Sequence, residues 1–177
     1  MEDLEQLKYP VGTLIIPEII SDQLIEECKT IIEIFPKNVR NEVEELSKDE
    51  LYYKYRPEGW NIQQVVNHCI DSHMNSITRF KLALTEENPT IRPYEEQLWA
   101  ELPDTIQYPI EKSLLLLETI HDRWSFLLQN MSHEDLNKTF IHPSGNEQIS
   151  LKENICIYAW HCEHHLQHII NAKKFQF

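Results

Sequence analysis

The stretch SLKENICIYAWHCEHHLQHIINAKK, Ser150 to Lys174, decides the fold. It contains neither glycine nor proline and is far longer than an ordinary strand. Its start, Ser150-Leu-Lys-Glu153, has the form of a capping box. In that motif the hydroxyl accepts from a backbone N–H three residues on, and the glutamate reaches back. Leu151, Ile155, Tyr158, Cys162 and Ile169 then recur at helical spacing. The stretch reads as one long amphipathic helix ending near Lys174.

Three more helices follow from the same reasoning. Asn61 and Gln64 form a second capping box, leading an apolar stripe of Ile62, Val65, Val66, Cys69, Ser76, Ile77, Phe80 and Leu84. Pro109 suits a first turn and precedes Leu114, Leu117, Trp124, Leu128 and Met131. Ser21 is an N-cap residue before Leu24, Ile25, Cys28, Ile31, Ile32 and Phe35. Pro36 is expected to interrupt that helix, with further helical residues through Val39, Val43 and Leu46. The three glycines, Gly12, Gly59 and Gly145, all stand at boundaries, and proline-free windows cover 58–88, 110–142 and 144–177. Residues 85–108 and 132–149 read as connections. The second, with Phe140-Ile141-His142 before Pro143-Ser-Gly-Asn146, suggests a small hairpin. The expectation is an all-α four-helix bundle with long connections, a single domain over residues 1–177. Connections of about 20 residues permit a crossover, so the helix order stays open.

Composition restricts partners. The chain has 177 residues, 41% hydrophobic and 25% charged, and a net charge of −13. A domain of that length buries roughly 70% of its unfolded surface and needs no disulfides. The negative charge disfavours phosphate backbones and anionic lipid, so neither nucleic acid nor a membrane is expected as partner. No run approaches the roughly 20 apolar residues of a membrane helix. The start, MEDLEQLKYP, lacks the apolar region of a secretory signal, and a cytoplasmic location is expected. Cys28, Cys69, Cys156 and Cys162 are scattered, as buried thiols of a reducing compartment would be. Cys162 stands out because it lies inside a histidine cluster.

Four of the nine histidines lie between residues 161 and 168, in WHCEHHLQH. His161/His165 and His164/His168 are each four residues apart, which on a helix brings two imidazoles about 6 Å from each other. At 100° per residue, with His161 at zero, the apolar face centres near about 90°. His165 then falls at about 40°, His168 at about −20° and His164 at about −60°. The 161/165 pair is nearer the core and better suited to an interior metal, leaving His164 and His168 at the rim as supporting groups. A further ligand must come from another helix. His73 lies within the apolar stripe of the second helix, whereas His68 shares a polar stripe with Ser72, Asn75 and Arg79. Pattern alone leaves His68 and His73 even. His121, His133 and His142 are expected to be dispensable for metal.

The chain resembles a known family over nearly its whole length. The run YRPEGWNIQQVVNHCIDSHMNSITRFKLALTEENPTIRPYEEQLWAEL (55–102), together with KYPVG (8–12) and YAWHCEHHLQHI (158–169), is similar to the YfiT family of metal-dependent hydrolases. That family is part of the DinB-like superfamily of four-helix bundles, and the block from Asp71 to Glu86 is its most specific segment. The resemblance implies one metal per subunit, zinc or sometimes nickel, on three histidines, which correspond to His68, His161 and His165. It also implies a homodimer. Asn67 departs from the pattern, since relatives often carry a second histidine there. The departure leaves three ligands and argues that this neighbour is not one of them. His73, Asn75, His164 and His168 remain candidates for groups supporting the ligands.

Three imidazoles leave a zinc position open, as in catalytic sites. Such a site can activate water for hydrolysis of an ester or amide. Relatives that use bacillithiol or mycothiol imply the alternative, transfer of a low-molecular-weight thiol to an electrophile. A non-catalytic metal-binding stress-response protein is the third reading. Neither Glu163, on the solvent side, nor Asp71, turned from the His68 stripe, makes a convincing general base. Arg79 is a candidate anchor for an anionic group on a small-molecule substrate. The 85–108 segment, with Tyr94, Glu95, Glu96 and Trp99, is expected to cover the metal cleft or to join a dimer contact.

Overall fold

The computed structural model describes residues 4–177, so the first three residues of the acidic start lie outside the described residues. In chain order come α1 (Leu4–Lys8), α2 (Asp22–Val43), a single 3₁₀ turn (Glu50–Tyr52) and α3 (Ile62–Thr85). Two short helices follow, α4 (Glu96–Trp99) and α5 (Pro103–Gln107), then α6 (Ile110–Gln129) and α7 (His133–Leu136). A hairpin of β1 (Thr139–His142) and β2 (Glu147–Ser150) leads into α8 (Leu151–Phe175). No helix among the described residues is long and apolar enough to cross a membrane.

The long helices begin where their capping chemistry dictates. Asn61 Oδ1 accepts from Gln64 N while Gln64 Oε1 accepts from Asn61 N. Ser150 and Glu153 make the same reciprocal pair at the start of α8. Ser21 Oγ accepts from Leu24 N at the head of α2. The hairpin is antiparallel, with Phe140 opposite Ile149.

Two readings of the chain need correcting. Pro36 does not interrupt the first long helix: α2 runs through it without a break to Val43, with Pro36 buried on the core face. Its neighbours Ile32, Phe35 and Val39 are also buried, and their packing outweighs the lost backbone hydrogen bond. The 85–108 stretch, read only as a connection, has regular structure of its own. It carries α4 and α5 and is tied down by Gln64 Nε2 donating to the Ala100 carbonyl and Asn67 Nδ2 donating to the Thr105 carbonyl.

Side-chain contacts determine the helix order that pattern left open. Lys173 meets Glu42, and Cys28 meets Cys156, so α2 and α8 run parallel. Asn154 meets Ser76 and His161 meets His68, so α3 and α8 are antiparallel. Asn67 meets Ser113 and His73 meets His121, making α3 and α6 parallel. Arg40 with Glu118, and Glu33 with Gln129, set α2 against α6 in opposite directions. The bundle is therefore up-down-down-up, with the chain-consecutive α2 and α3 on opposite corners. Because α3 and α6 are parallel, the 86–109 segment must return along the whole bundle.

One continuous apolar core fills the interior, including Phe35, Phe80, Leu117, Trp124, Ile155 and Ile169. Each such side chain contributes roughly 1.5–3 kcal/mol on burial. A core of this size holds the helices without help from an ion. All four cysteines are free and buried, Cys162 completely.

Candidate metal centre

The antiparallel pairing of α3 and α8 puts the early turns of α3 beside the later turns of α8. His68 from α3 therefore meets His161 and His165, stacked one turn apart on α8. One ring nitrogen from each of the three lies within 4.8 Å of the other two. His68 Nε2 and His161 Nε2 are 3.3 Å apart. At a zinc–nitrogen distance of about 2.0–2.1 Å, a tetrahedral ion spaces its ligand nitrogens about 3.3–3.4 Å apart, so this pair is spaced for one ion and His165 is near enough to join it.

A metal ligand must be a neutral imidazole. Burial, and then the neighbouring rings, pushes His161 and His165 well below the ordinary histidine range. His68 is pushed down to about 4, by burial first and by His164 second. At neutral pH each ring therefore carries one N–H and one lone pair. Trp60, just before α3, packs its ring 4.6 Å from that of His68.

His73 is fully buried and is not one of these three, yet it touches His161. Its Nε2 lies 3.1 Å from His161 Nδ1, and its Nδ1 lies 2.7 Å from His121 Nε2. His121 Nδ1 in turn lies 2.6 Å from the Ile32 carbonyl oxygen. His165 has a similar but looser connection. His165 Nδ1 and His168 Nδ1 are 3.4 Å apart, and His168 Nε2 lies 3.2 Å from the Lys8 carbonyl oxygen.

His164 and His168 are buried and do not stand at the open rim that the helical wheel suggests. Part of the covering comes from outside the helix, from Tyr9 and Tyr55, and part from Trp160, one turn before His164 on α8 itself. Trp160 stacks on His164 and Tyr55 on His168, while Trp160 Nε1 donates to the Gly12 carbonyl and holds the N-terminal segment over this face. Two other donor groups lie within ligating range of each other, Cys69/His73/His161 and His164/His165/His168. The Cys69 thiol is pushed up by complete burial and stays protonated, which counts against the first. In the second, His165 and His168 face each other along the connection just described.

The remaining candidates sort clearly. Asn75 donates to the Asp71 carbonyl of its own helix. Asn67 spends its amide on Gln63, Thr105 and Ser113, joining α3 to α5 and α6. Arg79 Nη1 lies 3.5 Å from the Tyr158 hydroxyl, and its Nε is buried without a partner. Tyr158 itself donates to the Ser72 carbonyl, and its ring lies 5.4 Å from His161. Tyr94, from the 85–108 segment, buries its hydroxyl on the Ser72 side of the site without a hydrogen-bond partner among the described residues, and burial raises its pKa. Asp71 is half-buried, and its carboxyl is pushed up to about 6 by burial and by Asp104. Glu163 is exposed, and His133 and His142 lie away from the cluster beside Asp22 and Ser144. His121 is the residue that the sequence reading undervalued. The signal was present: Leu114, Leu117, His121, Trp124 and Leu128 continue one 3–4 spacing, with histidine in a core position.

These features define a four-helix-bundle protein with a buried three-histidine site between two antiparallel helices. The family model described as DinB superfamily matches residues 32–169, and the chain belongs to that superfamily, among its YfiT-like members. It is 44% identical over 171 residues, 97% of this chain and 98% of the relative, to a protein of Bacillus cereus (strain AH820) named "Putative metal-dependent hydrolase". A Bacillus thuringiensis relative of the same name matches equally well. Among solved structures, YfiT from Bacillus subtilis superimposes with a TM-score of 0.92 at 39% identity, covering 96% of this chain and 97% of its own. It is described as "a probable metal-dependent hydrolase with an unusual four-helix bundle topology".

Proposed function

We propose that this chain is a metal-dependent hydrolase acting on a small molecule, with one zinc ion per chain on His68, His161 and His165. The carrying observation is the convergence of three neutral imidazoles from two helices, each with a nitrogen within 4.8 Å of the others and one pair, His68 and His161, at the spacing a tetrahedral ion requires. A divalent ion there would supply Lewis-acid chemistry, lowering the pKa of a water or thiol that joins it. Nickel would also accept three imidazoles.

The chain's own residues would bind and orient the substrate. Arg79 has a buried, unpartnered Nε and sits beside Tyr158, which packs on His161, so it is the proposed anchor for a carboxylate or other anionic group. Tyr94 would close the site on the Ser72 side and exclude water, the covering role expected of the 85–108 segment.

One observation favours a second reading, transfer of a low-molecular-weight thiol to an electrophile. Among the described residues, the clusters of potential ligands that include these histidines contain no carboxylate, so no general base stands among them. A thiol that ionises on joining the metal needs none. Zinc-loaded protein should be offered simple esters and amides in one panel and a thiol with an alkylating electrophile in another, with products followed by mass. Turnover in the first panel supports hydrolysis, and turnover only in the second assigns thiol transfer. Metal-dependent turnover in neither would leave the metal-binding, non-catalytic reading.

A further inference from the structure

His161 is tied to a backbone carbonyl on the far side of the core through two other histidines, and the direction of each hydrogen bond follows from that carbonyl. The Ile32 oxygen can only accept, so His121 Nδ1, 2.6 Å away, carries the proton. A neutral His121 then has a bare Nε2, and His73 Nδ1, 2.7 Å away, must donate to it. That leaves His73 Nε2 bare, to accept from His161 Nδ1 at 3.1 Å. His161 is thereby left with a lone pair on Nε2, the nitrogen that lies 3.3 Å from His68 Nε2.

The carbonyl at the end of this chain is free for a specific reason. In an α-helix the oxygen of residue 32 accepts from the N–H of residue 36. Residue 36 is Pro36, inside α2, and proline has no N–H. The proline that the helix tolerates leaves this carbonyl without its helical donor, and His121 is the donor it has instead. Packing holds the rings in place: His73 and His121 are 0% and 1% exposed, and Phe35 lies 5.5 Å from both.

We infer that His73 and His121, anchored on the Ile32 carbonyl that Pro36 leaves free, are positioning residues that fix His161 as its Nδ1–H tautomer and aim its Nε2 at the metal. The role rests on His161 being a ligand. Metal-binding histidines usually donate their other N–H directly to a carboxylate, carbonyl or water. Here the carbonyl acts from two imidazoles away.

Two measurements test it. Long-range proton–nitrogen correlation spectra of metal-free protein with labelled histidine should show Nδ1–H tautomers at His161, His73 and His121. Zinc affinity, from competition with a chromophoric chelator, should fall about 10–100-fold in His121→Leu. Because leucine could loosen the surrounding core, His121→Gln is the second variant. Its amide offers both an acceptor for His73 and a donor for Ile32, and affinity should return to within about threefold of the parent. An Nε2–H tautomer at His161, or parental affinity in a folded His121→Leu, would overturn the role. Parental zinc affinity in His161→Ala would instead remove the ligand reading and this role with it, even with the tautomer chain seen intact in the spectra.

Discussion

The two α8 histidines proposed as ligands are held in the same manner but with unequal strength. Behind His161 stands a chain of contacts at 3.1, 2.7 and 2.6 Å that ends inside α2, a 22-residue helix with its core face buried. Behind His165 stand contacts of 3.4 and 3.2 Å that end on Lys8, the last residue of a five-residue helix near the N-terminus. Both chains end on carbonyls that a helix leaves unpartnered, one because of a proline within it and the other because the helix ends there. The lesson is that a carbonyl without a backbone donor is found at any helix end, but inside a long helix it takes a proline. The interior arm is therefore the rigid half of the site and the outer arm the adaptable half.

The largest effect should come from cutting the site itself. His68→Ala, His161→Ala and His165→Ala should each abolish stoichiometric zinc by metal analysis, since two imidazoles alone do not complete a tetrahedral site. Full occupancy in His68→Ala would move the ligand role to His73. The helices should survive this loss and survive chelation, because their core is formed without the ion. Circular dichroism at room temperature checks that. A ligand at a hundredfold excess over Kd adds roughly 2.7 kcal/mol. For a domain of this size the chelated protein should therefore melt about 5–10 °C lower. Disappearance of the helical signal with the metal would make the site structural and remove the main support for catalysis.

Breaking the arms should come next, and unequally. His168→Leu removes the group facing His165 Nδ1, but a 3.4 Å contact is weak and positions little. Its zinc affinity should fall less than tenfold, below the loss expected of His121→Leu. An equal or larger loss would reverse the ranking of the two arms.

Acid should expose both arms in the metal-free protein. Burial pushes His121 down to about 4; His168 is pushed down to about 3, by burial first and then by His164. Each group is neutral in both folded and unfolded chains above about 6.5. Below that value the unfolded chain takes up protons that the folded one refuses, so stability falls from about pH 6.5 down to about 4 and 3. Urea midpoints across that range should decline, and His121→Gln should flatten the decline. A midpoint independent of pH between 6.5 and 4 would contradict neutral burial of these rings.

The smallest effect should belong to Pro36→Ala. It restores a backbone N–H aimed at Ile32, but a carbonyl oxygen has two lone pairs and can keep His121 as well. Zinc affinity should change less than about threefold. A loss matching that of His121→Leu would show that the carbonyl serves only one donor.

Much of this was legible before any coordinates. The capping pairs Asn61/Gln64 and Ser150/Glu153 act over three residues, so their helix starts can be read directly from spacing. The hydrophobic period likewise announced four long helices, and the i, i+4 relation put His161 and His165 on one face. Local rules misled where packing outweighed propensity. Pro36 reads as a helix end because its cost is local, while its compensation, burial among Ile32, Phe35 and Val39, comes from other helices. His164 and His168 read as rim residues because a helical wheel knows only its own helix, and the covering it misses comes from Tyr9 and Tyr55 near the start of the chain.

What the sequence determined by itself was therefore everything set within about four residues: the caps, the helical faces, and the histidine spacing on α8. Only tertiary structure decided that α3 and α8 are antiparallel neighbours, which places His68 beside His161 and His165. It also decided that His121, nearly 50 residues from His73, completes the chain to Ile32. The reason is physical. Directional bonds between distant residues depend on which helix faces which, and that order follows from the total burial of four amphipathic faces rather than from any local motif.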